Sequence, residues 1–335
     1  MYPRLSPVFY PIYFLYGSRS HSGKGSGVRL SRTSTSPRRT AQPNVPRVLF
    51  VTGKGGSGKS TVAAALALAL SDKKPTTLAD LDGHLAAANL LGSMPNDEEP
   101  ARVSEKLEVI ALSQRTELTS FIRRIVPIAA ISDRMLRSRT FGYVTAALPG
   151  LEAFLLIERL RMIAGEAALH DRFLVVDAPA TGTALELLAV AGGLQGLAPA
   201  GTLNRLAGEA QAFLLDPDRF AVLLTVTPEE LALREAIETA AKLRDGRIRI
   251  VGAILNRVPE ALFEKDELDS LDALGTHRSL AQKRVAERAA ASTARALLER
   301  AGMTTLELPM LYRAAFDEGE ISMLANKLSG WLMAS

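Results

Sequence analysis

The chain has 335 residues, 47% of them apolar and 23% charged, and no cysteine. That length suits one large or two ordinary domains with a packed core. The missing cysteine excludes disulfides, cysteine zinc sites and thiolate chemistry; it fits a reducing compartment, and the expected one is cytoplasmic. The formal charge of +4 is lopsided: residues 1–47 carry Arg4, Arg19, Lys24, Arg29, Arg32, Arg38, Arg39 and Arg47 and no acid, and removing those eight from the 40 Lys and Arg leaves 32 against 36 acidic residues. A body of net charge −4 gives no electrostatic case for nucleic-acid binding, and none is expected.

Residues 1–46, rich in Ser, Pro, Arg and Gly without a sustained period, read as a disordered basic tail. The apolar run from Val8 to Tyr16 is interrupted by Pro11 and falls far short of the ~20 residues that span a bilayer, so no transmembrane segment is expected. An Arg- and Ser-rich, acid-poor leader also describes an organellar transit peptide, but no clear amphipathic helix accompanies it. The preferred reading is a dispensable tail, of the kind that a start site placed too far upstream would add.

Arg47 to Thr52 reads as a buried strand and Thr61 to Leu70 as an apolar helix. Between them Gly53-Lys54-Gly55-Gly56-Ser57-Gly58-Lys59-Ser60 satisfies the phosphate-loop pattern GxxxxGK[ST] and adds a second lysine, Lys54, inside it. Such a loop wraps a polyphosphate with backbone N–H groups along a path that side chains would obstruct, hence its glycines. The helix that starts near Thr61 turns its N-terminus toward the phosphates. Lys59 then reaches the β- and γ-phosphates and Ser60 ligates Mg²⁺, so ATP and Mg²⁺ are the expected cofactors.

Thr76 to Asp80 is the next strand, and Asp80-Leu81-Asp82-Gly83 sets two carboxylates at its end. A phosphate-loop hydrolase needs a polar group to orient the attacking water; Asp82 is the candidate, with Asp80 supporting Mg²⁺ or the loop. The alternative is that Asp82 caps the apolar helix starting near Leu85. Leu107 to Leu112 is a third strand. Residues 114–168 form the largest helical block, including Glu117 to Arg137 and Leu151 to Gly165. Phe173 to Asp177 is an apolar strand ending in a carboxylate, the form of a Walker B acid that holds Mg²⁺ through water. The turn after it, Ala178-Pro179-Ala180-Thr181-Gly182-Thr183, is shaped to respond to a γ-phosphate. Residues 188–219 read as a Gly-rich loop and a short helix. With the 114–168 block they are either a partner-binding helical surface or helices that only cover the sheet. Phe220 to Val226, Ile248 to Leu255 and Thr305 to Leu308 bring the strands to about seven, apolar on both faces. A doubly wound, mostly parallel α/β sheet is expected. The apolar stretch Ile321 to Met333 carries only Lys327 as a cation, which favours a last core-covering helix over a membrane-surface helix.

At these motifs the chain resembles the deviant Walker A ATPases, the group of MinD, ParA, the arsenite-pump ATPase ArsA and the tail-anchored-protein targeting ATPases. Lys54 matches the signature lysine of that group, Asp82 its catalytic aspartate, and Asp177 to Gly182 its second switch. Within the group the ArsA and tail-anchor branch is most similar, through Asp177-Ala178-Pro179-Ala180-Thr181-Gly182 with the run to Leu188, Leu148-Pro149-Gly150-Leu151-Glu152, and Thr227-Pro228-Glu229-Glu230-Leu231 with the run to Glu235. The resemblance implies an ArsA-like P-loop NTPase domain over residues 47–335, with a small helical subdomain from about 114–168 and 188–219. It also implies a homodimer formed across nucleotide, with Lys54 reaching the partner's phosphates. Catalytic residues would be Lys54, Lys59 and Asp82. Nucleotide-binding residues would be Gly53 to Thr61, Asn256 and a loop near Pro309, and metal-binding residues Ser60, Asp80 and Asp177. An amide at Asn256 can pair with the adenine edge, whereas Pro309 serves equally well as a strand terminator. Lacking cysteine, the chain has no thiolate metalloid site and no Cys-x-x-Cys zinc clasp, and residues 188–219 offer no long Met-rich insert; neither arsenite pumping nor tail-anchor targeting follows.

The leading expectation is a Mg²⁺-dependent ATP-hydrolysing switch that couples nucleotide state to a protein client or membrane partner. A MinD/ParA-like scaffold for membrane or cell-pole positioning is the alternative. A small-molecule kinase is third, its lid arginines being sought among Arg123, Arg124, Arg134, Arg137 and Arg139.

Overall fold

The computed structural model describes residues 45–81, 83–95, 100–125, 150–197, 201–262, 267, 276–312 and 318–334. Their strands are β1 (Val48–Gly53), β2 (Thr76–Asp80), β3 (Ala101–Arg102), β4 (Leu107–Ala111), β5 (Phe173–Asp177), β6 (Phe220–Val226), β7 (Ile250–Val258) and β8 (Thr305–Pro309). The helices are α1 (Lys59–Ser71), α2 (Ala86–Leu90), α3 (Gln114–Ile125), α4 (Leu151–His170), α5 (Thr181–Leu197), α6 (Thr202–Leu215), α7 (Glu230–Asp245), α8 (Thr276–Arg300) and α9 (Glu318–Ala334).

The strands form one eight-stranded sheet in the order β3-β4-β2-β5-β1-β6-β7-β8. Every pairing is parallel except that of β3 with β4. The seven strands read from the chain are present, in keeping with the expected count of about seven, and an eighth joins them: Ala101 and Arg102 pair antiparallel to Val109 and Glu108. Two residues carry no readable period, and an edge strand this short is recognisable only by its partner.

Side-chain alternation divides the core between the two faces. Val48 and Phe50 join Leu174, Val176, Phe220 and Val222 beneath α4 to α8. Leu49 and Val51 join Val175, Leu223 and Ile254 against α1 and α9. Phe220 is the aromatic centre of the first layer, 5.7 Å from the Phe50 ring and 5.5 Å, edge-on, from that of Phe213 on α6. Helix α1 is buried nearly all round, from Val62 through Ala67 and again at Ala69 and Leu70, because small alanines let it lie between the sheet and α9. The α9 residues Ile321, Leu324, Leu328 and Leu332 are buried in that layer, so this apolar face covers core. Among the described residues no helix is long and apolar enough to cross a membrane.

The segment expected to hold a Gly-rich loop is helical instead: α5 runs through Gly192, Gly193 and Gly196, and α6 follows as a 14-residue helix. The glycines permit close packing, since a Cβ on Gly192 would sit 3.2 Å from the Gln211 amide oxygen and one on Gly208 3.0 Å from the Gln195 amide nitrogen. Tertiary contact here outweighs the low helix propensity of glycine. Within the 114–168 block, residues 126–149 lie outside the described residues, and with them Arg134, Arg137 and Arg139; the tail residues 1–44 do as well.

Candidate functional site

The parallel pairings bring the C-terminal ends of β1, β2 and β5 to one edge of the sheet. Register places Asp80 beside Asp177, and Asp177 beside Val51, two residues before Gly53. Asp80 is 1% exposed and Asp177 fully buried. Buried carboxylates at a strand's carboxyl end are expensive unless something compensates them, which marks this edge as chemically specialised. Main-chain and hydroxyl hydrogen bonds join the three strand ends: Leu81 N–H to Asp177 O at 3.0 Å, Ala178 N–H to Val51 O at 3.0 Å, and the Thr52 hydroxyl to Pro179 O at 2.8 Å. The phosphate loop and the turn after β5 therefore form one connected structure.

The loop itself is held by close approach. A Cβ on Gly53 would lie 2.1 Å from Thr225 O on β6 and 2.8 Å from Ser57 Oγ, so only glycine fits where β1 meets the loop. Gly58 is left-handed (φ 90°) and serves as the N-cap of α1; no side chain caps that terminus among the described residues. The N–H groups of the first helical turn are thus presented by the backbone alone, the arrangement that binds an anion. Ser57 is buried and its N–H bonds to Lys54 O at 3.1 Å, closing the loop into a tight turn. Lys59 is 8% exposed, whereas Gly55 and Gly56 are open to solvent and Lys54 is half-buried. Ser60 and Thr61, in the first turn of α1, are half-buried. Hydroxyl and carboxylate oxygens from Ser60, Asp80 and Asp177 are the hard donors Mg²⁺ prefers, and they number too few for a cage without phosphate oxygens. The residues present fit Mg²⁺ that arrives with a nucleotide.

Asp82 lies outside the described residues. The helix following it begins at Ala86, and its N-cap position falls on Leu85, in the left-handed region at φ 51°, with Gly83 at φ 73° just before. The cap position is therefore three residues beyond Asp82.

Asn256 and Pro309 come from β7 and β8. The pairing of these strands shifts between Leu255 and Val258, and Val258 then lies opposite Pro309. Asn256 is 7% exposed, and its Nδ2 donates to Ser57 O at 2.9 Å. Pro309 ends β8, and the next residue, Met310, donates its N–H to Val258 O at 2.8 Å. Asn256 thus reaches the loop apex, while Pro309 sits on the strand end beyond it.

Contacts that the sequence reading missed involve polar residues in apolar settings. Thr52 and Thr225 are nearly fully buried in strands otherwise apolar, a signal that was readable. The Thr181 hydroxyl, at the start of α5, donates to a Glu235 carboxylate oxygen on α7. Nothing in the separation of these two residues announces that contact. Arg123 and Arg124 fall on α3, but their side chains lie outside the described ones.

A family model described as the CobQ/CobB/MinD/ParA nucleotide binding domain matches residues 48–296. The ATPase BagA of Mycobacterium tuberculosis is 27% identical over 233 residues, covering 66% of this chain and 68% of its own. An uncharacterized ATP-binding protein of Methanocaldococcus jannaschii is 26% identical over 228 residues, 67% of this chain and 70% of its own. An Aquifex aeolicus protein named "Putative arsenical pump-driving ATPase 2" is 25% identical over 241 residues, 63% of this chain and 80% of its own.

Proposed function

The chain belongs to the CobQ/CobB/MinD/ParA nucleotide-binding domain family, and from that premise we propose that it is an ATP-hydrolysing switch that dimerises around nucleotide and couples its state to a protein client or membrane partner. The observation that carries this reading is the loop Gly53 to Ser60, pinned by close approach at both ends, with an uncapped α1 terminus and two buried carboxylates alongside.

Backbone N–H groups between Gly55 and Thr61, other than that of Ser57, bind the phosphates, and Lys59 supplies a fixed positive charge to them. Ser60, Asp80 and Asp177 would hold Mg²⁺, which would supply neutralising positive charge to a bound polyphosphate. Asp82 orients the attacking water and accepts its proton. Lys54 extends from the half-buried first turn of the loop to the partner subunit's phosphates, where a cation acting in trans is worth ~10³ to 10⁵ in rate in related switches. Asn256 and the Pro309 loop contact adenine. The turn from Asp177 to Gly182 carries the nucleotide state outward, a role supported by its bonds to β1 through Thr52 and to α7 through Thr181.

The test has two stages. Purified protein with Mg²⁺ and ATP should release phosphate to water, and light scattering should show dimer with ATP and monomer without it. Asp82→Asn should bind ATP and hydrolyse it slowly, and affinity capture with this variant should retain a partner only with nucleotide. Transfer of phosphate to a small acceptor instead of water, or identical partners with and without ATP, would overturn the proposal.

A further inference from the structure

We infer that Asn256 is a positioning residue for the phosphate loop: its amide N–H holds the Ser57 carbonyl outward and so keeps the loop's N–H groups turned toward the phosphates, whatever base the nucleotide carries. The inference rests on the nucleotide reading above and goes beyond adenine contact.

The contact is buried and long-range. Nδ2 of Asn256 donates to Ser57 O at 2.9 Å across 199 residues of sequence, with Asn256 7% and Ser57 2% exposed. A carbonyl in such a place must find a donor or lose the free energy of its hydration. Ser57 O meets that requirement through a side chain from the other half of the sheet.

Two irregularities aim that side chain. Between Leu255↔Glu307 and Val258↔Pro309 the β7 strand contains one residue more than β8, which is a bulge at Asn256 and Arg257. Arg257 is exposed and left-handed at φ 58°, a conformation that disfavours any side chain bearing Cβ. Bulges re-aim side chains next to functional sites, and here the bulge directs Asn256 across the end of the sheet to the loop apex. The loop has made room for it: a Cβ on Gly58 would sit 2.2 Å from Nδ2 and 3.5 Å from Cγ of Asn256. Glycine at 58 is therefore required twice, by its φ of 90° and by the amide lying against it.

The chemical consequence concerns sign. A phosphate loop attracts an anion only while successive N–H dipoles converge on it, and a carbonyl rotated into the same space repels it. Gly55 and Gly56 are exposed and conformationally permissive, so the apex does not resist that rotation on its own. The Lys54 O contact restrains the N–H of Ser57, and the Asn256 amide restrains its carbonyl. With Nδ2 committed to Ser57 O the amide is also fixed in sense, because the opposite orientation would set oxygen against oxygen.

The experiment uses Mg²⁺-tripolyphosphate, a probe without a base, titrated calorimetrically into the full chain beside Mg²⁺-ATP, well below the melting temperature. Asn256→Ala should bind tripolyphosphate about tenfold more weakly than wild type, the scale of one buried hydrogen bond. It should lose at least as much for ATP. Asn256→Leu, close in size but with neither donor nor charge, guards against a packing hole; it should lose tripolyphosphate affinity to a similar extent. Wild-type tripolyphosphate affinity in both variants, with only ATP weakened, would overturn the inference and leave Asn256 as a base contact. A wild-type chain that binds neither probe would overturn it together with the nucleotide reading.

Discussion

Replacing Gly53 by alanine tests whether the loop's shape is set by β6. The added Cβ would stand 2.1 Å from Thr225 O, in a register where Gly53 pairs with Thr225 itself. Ordinary contact distances are about 3.5 Å, so the backbone must separate by roughly 1.4 Å. Neither atom belongs to a flexible side chain, and the strain falls on the strand ends, at a cost of about 1–3 kcal/mol, the usual range for overpacking. The same displacement carries the loop away from its phosphate geometry, and misplacement by about 1 Å is worth ~10² in rate. Gly55→Ala is the internal control: a Cβ there meets no atom within 4 Å, so stability should stay within about 0.5 kcal/mol of wild type. Denaturant unfolding gives the stability difference, and calorimetry with Mg²⁺-ATP together with phosphate release gives the functional one. Equal unfolding midpoints and equal ATP affinities for Gly53→Ala and wild type would refute the steric argument.

Lys54→Ala should lower the hydrolysis rate by ~10³ while leaving ATP affinity within a few-fold, because a trans-acting cation is needed mainly in the transition state; unchanged turnover removes Lys54 from the mechanism. Gly252→Ala places a Cβ 2.3 Å from Thr304 O and 2.9 Å from the Trp331 ring, so α9 and β8 must both yield. The expected loss is about 1–3 kcal/mol, and because Trp331 is the only tryptophan, a shift in its emission reports the displaced helix directly. Glu235→Ala leaves the buried Thr181 hydroxyl without its acceptor and should destabilise by about 1–3 kcal/mol, whereas Glu235→Gln keeps an acceptor and should cost less. Equal denaturation midpoints for the two Glu235 variants would show that the hydroxyl contact contributes nothing.

Seven strands, the phosphate loop and the two strand-end carboxylates were legible in the chain because each is a local pattern: continuous apolar runs, glycines at fixed spacing, an acid where a run stops. The apolar C-terminal stretch was legible for the same reason, since a single lysine distinguishes a buried helix from one that lies on a membrane. What failed was also local. Gly192, Gly193 and Gly196 suggested a loop, yet they lie in a helix, where Gly192 packs against Gln211 of the next one, and Ala101–Arg102 is a strand only because β4 is there to pair with it.

Residue order alone was enough to show a phosphate-loop pattern leading from a buried strand into an apolar helix, and to nominate Lys54, Lys59, Asp80 and Asp177 for the chemistry proposed there. It took the folded chain to set Asp80 and Asp177 side by side, to confine Gly53 against Thr225, and to bring Asn256 to the loop from 199 residues away. The reason is physical: residue type and spacing specify which dipoles and charges a segment can offer, but partnership across a sheet depends on strand order and on a one-residue bulge, and neither leaves a trace in any single segment.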